Sequence, residues 1–169
     1  LGASELAAFA IAFQLLTVSF MIAIGVASAT AVRVGIAFGR GDINDVVLAG
    51  WTGLGISVLI NALISIVILI FAEPIIGVFT RDMAVLVIAV PLVFWVATAL
   101  ITDGGQAVIA NALRGRRDVW VACIIQGFAF LGLMVPLTWY LAYPHGNGAI
   151  GLFQGVLIAA SVSIVLLGL

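Results

Sequence analysis

The residue best able to do chemistry in this sequence is Asp103, a carboxylic acid inside a long apolar stretch. It lies twenty residues after Met83 and eleven before Arg114, with no Lys or Arg within one helical turn. A carboxylate near the centre of a membrane helix costs about 2.5–3.5 kcal/mol on insertion scales. Its partner must therefore be another helix, a bound cation, a proton or water. We predict a cation-binding role, with hydration at a deep cytoplasmic mouth or a structural hydrogen bond as the alternatives.

Residues at helical spacing from Asp103 form a small and polar strip. Ala99, Gln106, Ala107 and Ala110 fall near the same helix face as the carboxylate. Such a strip is suited to lining a cavity or to packing against another helix. We therefore expect Asp103 to face other protein segments rather than lipid.

The helix that carries Asp103 also has residues that weaken regular helical structure. Gly104 and Gly105 follow the carboxylate directly, and Pro91 lies upstream, where it can kink the helix. A kinked helix with a carboxylate beside a glycine pair is typical of an ion or substrate site in a secondary transporter. Other polar side chains in mid-helix are amides, which we expect to form hydrogen bonds between helices. They are Gln14, Asn61, Gln106, Gln126 and Gln154.

The elements that must position these residues are membrane-spanning helices. The chain is 65% hydrophobic and 8% charged, whereas soluble domains are about 45–50% apolar and about 25% charged. A helix needs about 20 apolar residues to cross the hydrocarbon core, and charges and turn residues divide the chain into five such runs. We predict an all-α membrane protein, since the runs lack the alternation of barrel strands. The predicted spans are residues 6–32, 46–72, 83–113, 119–143 and 149–169.

Local signals mark the ends of these spans. An acidic residue can cap or favourably charge the start of a helix, and a proline disfavours helix in the residue before it. We expect the glycines at 35, 39 and 41 to end the first span and Glu73–Pro74 to end the second. The expected helix starts are at Asp42, Asp82 and Asp118, and a turn cluster occupies residues 144–148.

The distribution of arginine predicts the orientation of the chain in the membrane. Two loops on the same side, residues 33–45 and 113–118, together carry five arginines, whereas the opposite side carries only Arg81. Cytoplasmic loops of membrane proteins are enriched in basic residues. We therefore predict that both loops are cytoplasmic. The five arginines are Arg33, Arg40, Arg114, Arg116 and Arg117.

The sequence lacks the residues that several classes of function need. One His and one Cys cannot build a plausible metal cluster, and the sequence has neither a Ser/His/Asp arrangement nor a phosphate-binding loop. We predict that the protein is not an enzyme and needs no cofactor. A net charge of -1 gives no reason to expect nucleic-acid binding.

Two stretches of the sequence resemble the multidrug and toxic compound extrusion (MATE) family, of the bacterial NorM-like kind. One is ATAVRVGIAFGRGD, from Ala29 to Asp42. The other begins at Asp103 as DGGQAV and continues through ALRG at 112–115 to Asp118. The two stretches occur in the expected order, with a pair of spans between them, and the resemblance covers essentially the whole chain. Asn111 departs from the pattern, which has Gly before ALRG.

The resemblance implies that the chain is part of a longer transporter. The family has twelve spans in two six-helix lobes, and the five spans here look like the eighth to the twelfth. We expect residues 1–169 to be a C-terminal lobe fragment in the cell inner membrane, and the chain does not begin with Met. Its expected partners are the lipid bilayer, the missing N-terminal lobe and the missing seventh span, which carries an acidic residue in many NorM-like members.

The resemblance also implies roles for individual residues in the export of organic cations or drugs in exchange for Na⁺ or H⁺. Asp103 matches the tenth-span carboxylate implicated in cation coupling, where it would bind Na⁺ in a sodium-coupled protein. Gln106 belongs to the same motif. Gln14 in the eighth span and Asp82 at the outer end of the tenth are expected to line the substrate cleft, and Trp95 is deep enough to face it.

Two alternative functions stay open at this stage. A lipid-linked oligosaccharide flippase of the same superfamily would use a cationic central cavity, and these spans offer no Arg or Lys in mid-membrane. A channel or a non-transporting membrane subunit is the second alternative. A pore typically shows rings of similar charge or a filter loop, and the sequence shows neither.

Overall fold

The computed structural model describes residues 2–142 and 148–168, and all regular elements in these two ranges are helical. A π-helical segment, Phe128–Met134, joins α5 and α6 without a break. Residue 143 of the predicted fourth span, residues 144–147 of the predicted turn cluster and residue 169 of the predicted fifth span lie outside the described ranges. The α-helices are α1 (Ala3–Gly39), α2 (Ile43–Ile70), α3 (Ala72–Phe79), α4 (Met83–Gly115), α5 (Val119–Gly127), α6 (Val135–Ala142) and α7 (Gly148–Gly168).

Five stretches of helix within the described ranges are long and apolar enough to cross a membrane, which confirms the predicted number of spans. Four of them are α1, α2, α4 and α7. The remaining one runs from Val119 to Ala142 through α5, the π-helical segment and α6. The short helix α3 lies between the second and third spans.

Acidic residues start two of these helices in the predicted way. The Asp42 carboxylate accepts a hydrogen bond from the backbone N–H of Asp45 at 3.0 Å. The Asp82 carboxylate accepts one from the N–H of Ala84 at 2.9 Å. Each bond satisfies a backbone donor that the first turn of a helix leaves without a partner. Asp118 stands at the start of α5 but makes no capping bond with its side chain.

The first helix is longer than its glycines suggest. We expected it to end near Val32, but it continues to Gly39, and only residues 40–42 connect it to α2. Gly35 lies against α4, where a Cβ atom added to it would be 3.6 Å from the carbonyl oxygen of Gly115. Packing against α4 thus offsets the low helix propensity of glycine.

The second helix ends two residues earlier than the Glu73–Pro74 pair predicts. It stops at Ile70, and Phe71 separates it from α3. Because Pro74 has no N–H, it could not have donated to the carbonyl of Ile70 in a continuous helix. A break at Phe71 places the proline in the first turn of α3, where a missing donor has no cost.

The bundle is organised around α4, which contacts α1, α2 and α7. The C-terminal ends of α1 and α4 lie together, since a Cβ atom added to Gly115 would be 2.6 Å from the carbonyl oxygen of Ala31. The five arginines predicted to share one side of the membrane are therefore at one end of the bundle, which we name the five-arginine end. Arg81 lies at the other end, between α3 and α4.

Candidate functional site

A cavity of about 500 Å³ lies between α1, α4, α5 and the π-helical segment. Among the described residues that line it, Asp103 alone carries a charge. Apolar and aromatic side chains form most of the wall, with a few polar groups converging on it, as is common for small-molecule sites. The lining residues are Phe13, Leu16, Thr17, Phe20, Asp103, Gln106, Ala107, Gln126 and Phe130.

The Asp103 carboxylate faces this cavity without a protein partner in the described ranges. It is half-buried, and it makes no hydrogen bond or ion pair with residues 2–142 or 148–168. The structural hydrogen bond considered as an alternative is therefore not formed within these ranges. A carboxylate placed in this way can interact with a cation, a proton or water inside the cavity.

Gln106 presents a second unpaired oxygen on the same helix face. Its side chain is 2% exposed, and its Oε1 atom has no hydrogen-bond partner among the described residues. A buried acceptor without a partner costs about 1–3 kcal/mol, and no described residue supplies a donor that would offset this cost. Asp103 and Gln106 together supply a carboxylate and a carbonyl oxygen, the donor types that hard cations prefer.

Gln126 lines the opposite wall and is fixed by an arginine from α4. The Nη2 atom of Arg114 donates to the Oε1 atom of Gln126 at 2.9 Å. This contact confirms the expected hydrogen bond between helices at Gln126, and it links the five-arginine end to the cavity. The hydrogen bonds of Asn61, in contrast, stay within α2, because its Nδ2 atom donates to the backbone and side-chain oxygens of Ser57 at 2.8 and 3.3 Å.

Three phenylalanines in the wall are functional candidates that the sequence analysis missed. Phe13 and Phe20 come from α1, and Phe130 comes from the π-helical segment. Aromatic faces attract cations within about 6 Å of the ring centroid, so these rings and the carboxylate favour a ligand that is both apolar and positively charged. The spacing of Phe13, Leu16, Thr17 and Phe20 on one helical stripe is the signal that could have identified α1 as part of the wall.

The structure does not bring the other predicted residues into this cavity. Gln14 is exposed on α1 and is not among the lining residues. Trp95 is half-buried against the main apolar cluster and meets the Phe94 ring edge-on at 5.8 Å between centroids. Asp82 caps the start of α4, roughly 30 Å along the helix from Asp103 at 1.5 Å per residue. The role of these three residues in a substrate cleft stays a prediction.

Comparison with known proteins gives relatives that are described as probable multidrug resistance proteins. The chain is 38% identical over 169 residues to a probable multidrug resistance protein NorM of Xanthomonas axonopodis pv. citri, covering 100% of this chain and 37% of that protein. It is 34% identical over 161 residues to a probable multidrug resistance protein NorM of Brucella suis biovar 1, covering 92% of this chain and 34% of the relative. The chain therefore spans about a third of the length of the curated relatives that it matches.

Solved structures share the same fold. The eukaryotic MATE transporter AtDTX14 superposes with a TM-score of 0.87 at 20% identity, over 98% of this chain and 37% of that one. An inward-facing multidrug resistance MATE family transporter gives a TM-score of 0.78 at 20% identity, over 91% and 36% of the two chains. The family model described as MatE matches residues 1–140, which is most of the chain, and the protein therefore belongs to the MatE (MATE) family.

Proposed function

We propose that the complete protein containing this chain is a secondary active multidrug transporter, which exports organic cations or drugs in exchange for Na⁺ or H⁺. The observation that carries the proposal is the Asp103 carboxylate, which faces an aromatic cavity without a partner among the described residues. The names of the relatives as multidrug resistance proteins support the same function. Na⁺ or H⁺ is transported rather than held as a cofactor.

Competition for one negative charge explains how the exchange would work. A coupling ion bound by the Asp103 carboxylate and the Gln106 carbonyl removes the charge that attracts a cationic drug. A drug stacked on the rings of Phe13, Phe20 and Phe130 needs that same charge, because cation–π contacts alone contribute only about 0.5–2 kcal/mol. Ion and drug therefore bind alternately, and opening of the cavity to each side of the membrane in turn couples their movements.

The identity of the coupling ion is tested by measuring dye efflux with Na⁺ concentration and pH varied independently. For Na⁺, the carboxylate stays ionised, and the oxygens of Asp103 and Gln106 act as ligands. For H⁺, the carboxylate becomes neutral and Na⁺ has no effect on the rate. In both cases the net negative charge of the site is neutralised.

The flippase alternative is disfavoured by the charge in this cavity. A lipid-linked oligosaccharide carries phosphate groups, and an anionic ligand needs cationic side chains. Asp103 is the charged lining residue among those described, and it would repel phosphate. A non-transporting subunit has no need for an unpaired carboxylate inside the membrane, because such a group is costly to bury.

The decisive experiment replaces Asp103 with Asn in the full-length protein. Asp103→Asn keeps the shape of the side chain and removes its charge, so we expect drug resistance and dye efflux to fall to the level of cells without the transporter. The control is Glu73→Gln, which removes an exposed carboxylate that is not among the lining residues of the cavity, and it should retain transport. Expression of both variants is measured by immunoblot, and unchanged export by Asp103→Asn at normal expression would refute the assignment.

A further inference from the structure

A second groove lies at the five-arginine end, on the side of α4 that faces α2. Its volume is about 260 Å³. Every lining residue in the described ranges is apolar or glycine except Arg116, which follows the last residue of α4. The lining residues are Val34, Val46, Val47, Gly50, Trp51, Leu54, Ile109, Ala112, Leu113 and Arg116.

The groove runs along the helices, from the end of the bundle towards its middle. On α2 its lining extends from Val46 to Leu54, which is about 12 Å at 1.5 Å per residue. On α4 it extends from Ile109 to Arg116, so the charged side chain is at the surface and the apolar side chains are deeper. Its wall is open at Gly50, where an added Cβ atom would meet nothing within 4 Å.

Arg116 has donors available at the mouth of this groove. Its Nε atom is 3.9 Å from the Asp118 carboxylate, which is too long for a hydrogen bond. Both side chains of that pair are about half exposed, so the pair is worth little. Arg33 and Arg40, in contrast, both contact the carboxylate of Asp45. A planar guanidinium with free N–H groups matches the oxygens of a phosphate.

We propose that this groove binds an anionic phospholipid from the membrane leaflet at the five-arginine end. One acyl chain lies along the apolar lining between α2 and α4, and the phosphate contacts the Arg116 guanidinium. A volume of about 260 Å³ suits one acyl chain better than a partner helix, which is about 10–12 Å across. Trp51, one of the lining residues, is 70% exposed, and tryptophan is enriched at membrane–water interfaces.

The charge of the headgroup is tested on the full-length protein purified in detergent. Phosphatidylglycerol and phosphatidylcholine with the same acyl chains are titrated separately, and native mass spectrometry resolves each bound lipid. We expect the wild type to bind phosphatidylglycerol more tightly than phosphatidylcholine. Arg116→Gln should weaken phosphatidylglycerol binding by about fivefold, the usual effect of one basic residue near an anionic membrane surface, and leave phosphatidylcholine unchanged. Arg81→Gln, at the opposite end of the bundle, is the matched control.

The acyl chain is tested by filling the groove without changing any charge. Gly50→Leu places a side chain in the open part of the groove, and leucine is favoured over glycine in a helix. This variant should bind phosphatidylglycerol at least fivefold more weakly than the wild type. The control is Gly55→Leu, because Gly55 lies on the same helix, outside the groove, and also has nothing within 4 Å of an added Cβ atom.

Three results would overturn the proposal. Equal affinity for the two lipids would show that the headgroup charge is not recognised. Unchanged phosphatidylglycerol binding by both Arg116→Gln and Gly50→Leu would show that other segments of the full-length protein cover the groove or that lipid binds elsewhere. Displacement of the lipid by millimolar inorganic phosphate would identify a simple anion site, since a lipid held also by its acyl chain resists such competition.

Discussion

The two sides of α4 differ in how their buried polar groups are paired, although the Oδ1 atom of Asn61 on the α2 side also has no partner among the described residues. On the side that faces α2, hydroxyl groups donate to the backbone of α4: Ser65 to the carbonyl of Ala97 at 2.8 Å and Ser57 to that of Gly104 at 3.2 Å. On the side that faces α1 and α5, Asp103 and the Oε1 atom of Gln106 have no partner among the described residues. Satisfied groups hold helices together, whereas unsatisfied groups in a cavity are available to a ligand.

The closeness of packing also differs between the two sides of α4 around Gly104. Against α2, the backbone of α4 comes so near that a Cβ atom on Gly104 would collide with the amide of Asn61. Against α1 and α5, the same stretch of α4 opens onto a cavity of about 500 Å³. The close approach of α2 therefore helps to fix the position of this stretch of α4, whose other side carries Asp103.

The largest effect on stability should come from Gly104, where α4 packs closely against α2. A methyl group from Gly104→Ala would collide with Asn61 and lie 3.2 Å from the Ser57 hydroxyl, and overpacking of this kind costs about 1–3 kcal/mol. We expect a lower unfolding temperature in detergent and weaker dye efflux, because the segment carrying Asp103 must move.

Gly105→Ala is the matched control for that experiment. The nearest atoms to its added Cβ would be Leu54 Cδ1 at 3.5 Å and Ile164 Cδ1 at 3.8 Å, which are ordinary contacts. The higher helix propensity of alanine should then leave stability unchanged or raise it by up to about 1 kcal/mol. Equal behaviour of the two variants would show that the close approach of α2 does not determine the position of α4.

An intermediate effect is expected at Gln106, on the side of α4 that lines the cavity. Gln106→Leu removes the unpaired Oε1 atom and keeps a side chain of similar length. Binding of the coupling ion should weaken about tenfold, equivalent to about 1.4 kcal/mol, measured as the Na⁺ or H⁺ concentration that gives half-maximal efflux. The unfolding temperature should not fall, because a buried acceptor without a partner is no longer present. A loss of stability with unchanged ion dependence would show that Gln106 is structural.

The sequence predicts much of the cavity side of α4 and of the helix starts, because the strongest signals in the sequence are local. A charge inside an apolar run identifies Asp103, helical spacing adds Gln106, and a carboxylate before an apolar run marks the helix starts at Asp42 and Asp82. Each of these inferences needs only neighbours within a few turns of one helix. The family resemblance rests on the same residues.

The sequence does not show which apolar residues complete the cavity, because that depends on how the helices are rotated. Phe13 and Phe130 are apolar residues in apolar helices, equally suited to lipid, a core or a binding site. Gln14 is polar in mid-helix, yet it is two residues from both Ala12 and Leu16, which are buried. At about 100° per residue it faces nearly opposite to them. Small residues on α1 set this rotation by allowing α4 to approach, and their effect becomes visible only in the packed structure.

The smallest effect should come from the Ser65 hydroxyl of α2, which donates a hydrogen bond to the backbone of α4. Ser65→Ala removes the bond to the Ala97 carbonyl, and hydrogen bonds between membrane helices contribute about 0.6 kcal/mol on average. We expect a small drop in unfolding temperature and efflux within twofold of the wild type. The control is Ser163→Ala, since the Ser163 hydroxyl is fully buried and has no partner among the described residues, so its removal should not destabilise the protein. If Ser65→Ala reduced transport as much as Gln106→Leu, the two sides of α4 could not be divided into a structural and a ligand-binding side.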